Sequence, residues 1–117
     1  MLNKILVIDD DPAVRGAFKL ILEEEGYDVK EAEDGLQGIE MVKIERPDLV
    51  FLDLRMPGID GVETLRRLKE FDESLHIYIV TAFAAEFMHE LKDAHEAGLK
   101  FEIASKPLSA SQIRNIA

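Results

Sequence analysis

Leu49-Val50-Phe51-Leu52-Asp53 is a run of four apolar residues closed by a single carboxylate. It is too short for a helix and apolar at every position, which is how a strand covered on both faces reads in a parallel sheet. The same arrangement recurs outward from it. Ile5-Leu6-Val7-Ile8 ends in Asp9-Asp10, Ile77-Tyr78-Ile79-Val80 ends in Thr81, and Phe101-Glu102-Ile103-Ala104-Ser105 is followed by Lys106. If these runs are parallel strands, three carboxylates, a hydroxyl and an ammonium emerge at one edge of one sheet.

Strands are expected at Lys4–Ile8, Asp28–Ala32, Leu49–Leu52, 77–80 and 101–104, the second being polar enough to sit at an edge. Helical signals fall between them. Asp11 is an N-cap before Pro12, and Val14, Ala17, Phe18, Ile21 and Leu22 form one apolar face that stops at Gly26. Asp34-Gly35 opens a second helix carrying Leu36, Ile39 and Val42 inward. A third is expected near Gly61–Phe71 with Val62, Leu65 and Leu68 inward, and a fourth over 85–97 with Met88 and Leu91 inward. Ser109 with Gln112 forms a capping box for a fifth, unusually short helix, as if trimmed.

Five alternating βα units without long linkers predict an α/β domain spanning residues 1–117, a doubly wound parallel sheet with helices on both faces. Five strands suit the flavodoxin-like order 2-1-3-4-5, whose first and third strands meet at the switch point where ligands bind. Asp9, Asp10 and Asp53 then converge, flanked by Thr81 and Lys106.

Composition narrows the function classes. At 117 residues the chain is large enough for one core, and with no cysteine it has neither a disulfide framework nor a thiolate metal site. The net charge of -10 disfavours nucleic acid as a direct partner and points to a protein or a cation. No apolar run approaches membrane-spanning length, and the start does not read as a signal peptide, so a cytoplasmic home away from the membrane is expected. His76, His89 and His95 lack metal-ligand spacing.

Clustered carboxylates repel one another unless a cation is present, and Mg²⁺ suits such a set, taking one or two carboxylates together with phosphate oxygens. An aspartate beside that ion can attack a phosphoryl donor to form an acyl phosphate, with Lys106 balancing charge and Thr81 donating a hydrogen bond. Singly, each residue has a plainer reading as a cap, a strand end or a solvated charge. Their coincidence at one sheet edge is what carries the chemistry.

The chain resembles the receiver domains of two-component response regulators over essentially its whole length. The resemblance is carried by Ile5-Leu6-Val7-Ile8-Asp9-Asp10-Asp11, by Pro47-Asp48-Leu49-Val50-Phe51-Leu52-Asp53-Leu54-Arg55-Met56-Pro57-Gly58-Ile59-Asp60-Gly61, by Thr81-Ala82 and by Lys106-Pro107. Glu45-Arg46-Pro47-Asp48-Leu49-Val50 and Pro57-Gly58-Ile59-Asp60-Gly61 are similar to single-domain phosphorelay regulators of the sporulation type. The resemblance implies that Asp53 accepts phosphate from a sensor histidine kinase or a histidine phosphotransferase. It implies a Mg²⁺ site, open to Mn²⁺, formed by Asp9, Asp10, Asp53 and the Arg55 carbonyl, with Asp10 a direct ligand. Thr81 and Lys106 would bind the phosphoryl group, small Ala82 would leave it room, and the Lys106–Pro107 peptide would be cis. The output would pass to a downstream protein or an attached domain.

Two departures stand out. The place of the usual switch aromatic, three residues before the lysine, holds Ile103, with Phe101 two residues earlier on the same strand face as a substitute switch or a core residue. The Thr81 to Lys106 stretch is also slightly long. Arg55, a long cation beside the acyl phosphate, is expected to slow its hydrolysis. Two other classes compete with a phospho-switch. One is a receiver-like binding module that never takes phosphate. The other is a Mg²⁺-dependent aspartyl-phosphate phosphatase, disfavoured because Arg55 stands where such enzymes carry a second aspartate. On the leading reading the protein is not a turnover enzyme.

Overall fold

The computed structural model describes residues 3–117. Strands β1 (Lys4–Ile8), β2 (Asp28–Ala32), β3 (Leu49–Leu52), β4 (Ile77–Thr81) and β5 (Glu102–Ser105) form one parallel sheet in the order 2-1-3-4-5. Helices α1 (Pro12–Glu24), α2 (Gly35–Ile44), α3 (Gly61–Phe71), α4 (Met88–Glu96) and α5 (Ala110–Ile116) cover its two faces.

Strand side chains alternate between faces, so a wholly apolar strand feeds two cores at once. Leu6, Ile8, Val50, Leu52, Ile77 and Ile79 join the cluster shared with α2, α3 and α4. Ile5, Val7, Leu49, Phe51 and Val80 join the one shared with α1 and α5, where Phe18 meets Phe51 edge-on at 5.1 Å between ring centroids. Each run therefore holds the sheet in place from above and below, and this fixes the direction in which its terminal residue emerges.

Helix starts are set by side-chain caps. Asp11, Asp34 and Asp60 accept the backbone N–H groups of Ala13, Gln37 and Glu63, and Ser109 with Gln112 completes a reciprocal capping box. Gly26, at a φ of 92°, ends α1 in the left-handed conformation that glycine adopts without steric cost.

Four expectations need correction. Leu36 and Met88 are exposed rather than inward, because α2 buries Gly35, Gly38, Ile39 and Val42 while α4 buries Leu91 and Ala94. Ala17 is also exposed; α1 makes its contact mainly through Phe18 and Leu22. The helix expected over 85–97 is split. Ala84–Phe87 forms a 3₁₀ turn without a side-chain cap, and the α-helix begins only at Met88. Finally, Phe101 precedes β5 and packs half-buried against the α3/α4-side core, whereas Ile103, within the edge strand, is 42% exposed.

Candidate functional site

The carboxyl ends of β1, β3, β4 and β5 bring Asp9, Asp10, Asp53, Thr81 and Lys106 to the expected edge. Each of the three aspartates offers a carboxylate oxygen, and those oxygens lie within 4.8 Å of one another. Asp9 and Asp53 are buried, whereas Asp10 is exposed at the mouth. Strand pairing sets their register, since the Asp9 N–H donates to the Ala32 carbonyl and the Asp53 N–H to the Ile8 carbonyl.

Lys106 supplies the positive charge. Its Nζ lies 2.6 Å from Asp9 Oδ2 and 3.7 Å from Asp53 Oδ2, reaching across from the end of β5. Its own N–H donates to the Thr81 carbonyl, which ties the β5 end to β4, and the Lys106–Pro107 peptide bond is cis. Burial and then the neighbouring Asp9 charge push the Asp53 carboxyl above its ordinary pKa, against the opposing pull of Lys106 and the Thr81 hydroxyl. Asp53 is thus a buried carboxylate whose surroundings on balance disfavour its charge, beside the exposed Asp10. An all-oxygen donor set of this kind fits a hard divalent cation and would not suit a soft metal.

The loop after β3 brings α3 close to Asp53. Gly58, at a φ of 81°, turns the chain, and the Gly61 N–H donates to the Leu54 carbonyl at 2.7 Å. A Cβ on Gly61 would stand 2.3 Å from the Asp53 carbonyl oxygen, so only glycine admits this approach. The Leu54 N–H donates to Asp53 Oδ1 and orients the carboxylate.

Around the mouth, the Arg55 guanidinium lies 4.6 Å from the centroid of the Phe83 ring and 3.7 Å from a Glu86 carboxylate oxygen. The Phe83 N–H in turn donates to Thr81 Oγ1 at 3.0 Å. Ala82, between Thr81 and Phe83, is exposed. The Arg55–Phe83–Glu86 group had no signature in sequence: Arg55 follows β3, Phe83 and Glu86 lie in the segment after β4, and their proximity is a product of strand order. Phe101 and Ile103 lie outside this cluster. The histidines join no metal-capable group among the described residues, and His76 instead faces Glu102 across β4 and β5 at 3.1 Å.

A doubly wound parallel sheet with three clustered aspartates, a hydroxyl and a lysine at its carboxyl edge defines a class of phosphoryl-handling α/β domain. Within that class, the response regulator receiver domain model matches residues 5–117, and the chain belongs to that family. It is 38% identical over 115 residues to sporulation initiation phosphotransferase F of Bacillus subtilis, spanning 98% of this chain and 90% of that protein. It is 40% identical over 98 residues to the chemotaxis protein CheY of Halobacterium salinarum, spanning 84% and 80%. The CheY-like receiver domain protein of Methanospirillum hungatei superposes with a TM-score of 0.89 at 27% identity, covering 99% of this chain and 90% of that one. Receiver domains are signalling modules of two-component and phosphorelay systems rather than turnover enzymes. They bind Mg²⁺ in an acidic pocket and interact with histidine kinases or phosphotransferases.

Proposed function

We propose that residues 1–117 act as one receiver unit in which Asp53 is the phosphoacceptor. The observation that carries this reading is the buried Asp53 carboxylate, oriented by the Leu54 N–H, with Asp9 and Asp10 beside it and Lys106 at 3.7 Å. An Asp53 oxygen attacks the phosphorus of a phosphohistidine. The P–N bond breaks, its electron pair returns to the imidazole, and an acyl phosphate forms on Asp53. Asp10, Asp53 and the Arg55 carbonyl would hold Mg²⁺, with Asp9 close behind; the ion would neutralise phosphoryl charge during transfer.

The chain's own groups do the rest. Lys106 already spans Asp9 and Asp53 and can exchange part of that pairing for a phosphoryl oxygen. The Thr81 hydroxyl, which accepts the Phe83 N–H, would swing to donate to another phosphoryl oxygen and pull on the Phe83 backbone that it holds. Phosphorylation thus biases the segment that leads into α4. Arg55, stacked on Phe83 above the site, shields the acyl phosphate from water. Donors are a sensor histidine kinase or a histidine phosphotransferase, and the readout is a protein partner.

The test is incubation with acetyl phosphate and Mg²⁺, read by intact mass, for wild type and Asp53→Asn. An adduct on wild type alone supports the phosphoacceptor role. An equal adduct on both, or none on a wild type shown to bind Mg²⁺, overturns it. The second outcome would favour the phosphate-free module instead.

A further inference from the structure

Asp9 is held at four points, and one of them comes from a side chain with no part in the chemistry above. Its N–H donates to Ala32, its Oδ1 accepts the Asp11 N–H at 3.0 Å, and its Oδ2 accepts Lys106 Nζ. Its carbonyl oxygen accepts Arg15 Nη1 at 2.6 Å. Arg15 projects from α1 and is itself anchored, since its Nε donates to Glu31 Oε1 on β2 at 3.3 Å. The Arg15 side chain is only 14% exposed.

The Asp9 carbonyl belongs to the peptide that joins Asp9 to Asp10. Fixing its direction fixes the plane of that peptide and the position of the Asp10 Cα, and so narrows the directions in which the Asp10 side chain can leave the backbone. We propose that Arg15 is a positioning residue for the cation site, aiming the Asp10 carboxylate by clamping the Asp9–Asp10 peptide from behind. This assignment rests on the acidic cluster being a Mg²⁺ site. Groups that orient metal ligands without touching the ion commonly change affinity by about 10- to 100-fold when removed.

The sign of the effect separates positioning from simple electrostatics. Arg15 is a cation close to an anionic site, so by charge alone its removal tightens Mg²⁺ binding. By positioning, its removal weakens binding. The experiment is a Mg²⁺ titration of the unphosphorylated chain, followed by backbone amide shifts, for wild type, Arg15→Met, Arg15→Lys and Lys19→Met. Arg15→Met keeps the apolar stem and should bind about 10-fold more weakly. Arg15→Lys restores a charged donor and should recover most of the loss. Lys19→Met removes a cation near the same Glu31, at 3.8 Å, without contacting Asp9, and should leave affinity equal or tighter.

Binding by Arg15→Met that equals or exceeds wild type overturns the proposal and leaves the cation site standing. No binding by wild type overturns the cation site, and the role of Arg15 with it. If Arg15→Met fails to fold, wild type supplies the test by reciprocity: saturating Mg²⁺ should slow solvent exchange of the Arg15 guanidinium protons. Unchanged exchange counts against the clamp.

Discussion

Strands β1 and β3 bury every residue in Ile5–Ile8 and Leu49–Leu52, while β5, on the far side of the same sheet, leaves three of its four residues exposed. The two regions contribute to one cluster of side chains but are built differently. The β1/β3 half is sealed by α1, α2 and α3 and presents its aspartates at fixed positions. The β4/β5 half is covered by a nine-residue α4 and a seven-residue α5, and its entry into α4 is an uncapped 3₁₀ turn. Chemistry that needs preorganised charge sits on the stiff half. Elements with few buried contacts open and rearrange at low cost, and on this side β5 and the uncapped entry into α4 are of that kind, while β4 itself is buried.

Breaking the comparison at its strongest point removes the phosphoacceptor. Asp53→Asn should lose the phosphoryl adduct entirely while remaining folded, as intact mass and a cooperative thermal transition would show together. Next comes the difference in packing. Leu52→Ala should cost about 2–5 kcal/mol in urea unfolding, the range for a fully buried leucine, whereas Ile103→Ala should cost under about 0.5 kcal/mol. Comparable losses at the two sites would mean that β5 is as tightly built as β3.

Smaller effects sharpen the boundary between the halves. Arg55→Asn removes the cation that bridges from the β3 loop to Phe83 and Glu86. The acyl phosphate should then hydrolyse about fivefold faster, equivalent to roughly 1 kcal/mol at the transition state; an unchanged lifetime makes this arginine a plain surface charge. The smallest effect concerns pH. Because burial and Asp9 raise the Asp53 pKa, the folded state holds that proton more tightly than the unfolded state does. Ionised Asp53 therefore costs stability. Without Mg²⁺, Asp53→Asn should melt a few degrees above wild type at neutral pH, the gain fading as pH falls through the raised pKa. A gain that persists in acid would assign the effect to something other than this charge.

Much of the stiff half was legible in sequence because its signals are local and redundant. An apolar run closed by a carboxylate specifies both a doubly covered strand and the residue at its end. Asp11-Pro12 and Asp34-Gly35 mark helix starts by their own capping chemistry. Legibility failed where a decision depends on tertiary cover. Met88 and Leu36 fall at helical spacing yet face outward, because α4 settles on the stripe of Leu91 and Ala94 and α2 on one where Gly38 lets it close on Ile8. Phe101 resembled a strand residue until the edge strand began one position later. Arg15 and the Arg55–Phe83–Glu86 group were invisible for another reason. Arg15 ties the consecutive elements β1, α1 and β2, and Arg55 ties two segments more distant in the chain, each through a flexible cation whose pairing no periodicity records.

Gly61 carries a mechanical implication. With no side chain between them, the first turn of α3 rests on the Asp53–Leu54 backbone, and main chain, unlike a rotamer, has no way to swing aside. A shift of the peptide at Asp53 would therefore press directly on the start of the helix. The eleven residues of α3 make a rod of about 16 Å that ends at half-exposed Phe71, on the opposite side of the domain from the acidic pocket. Stress loaded at one end of that rod would surface at the other, giving the molecule a route to its reverse side that needs no switch aromatic.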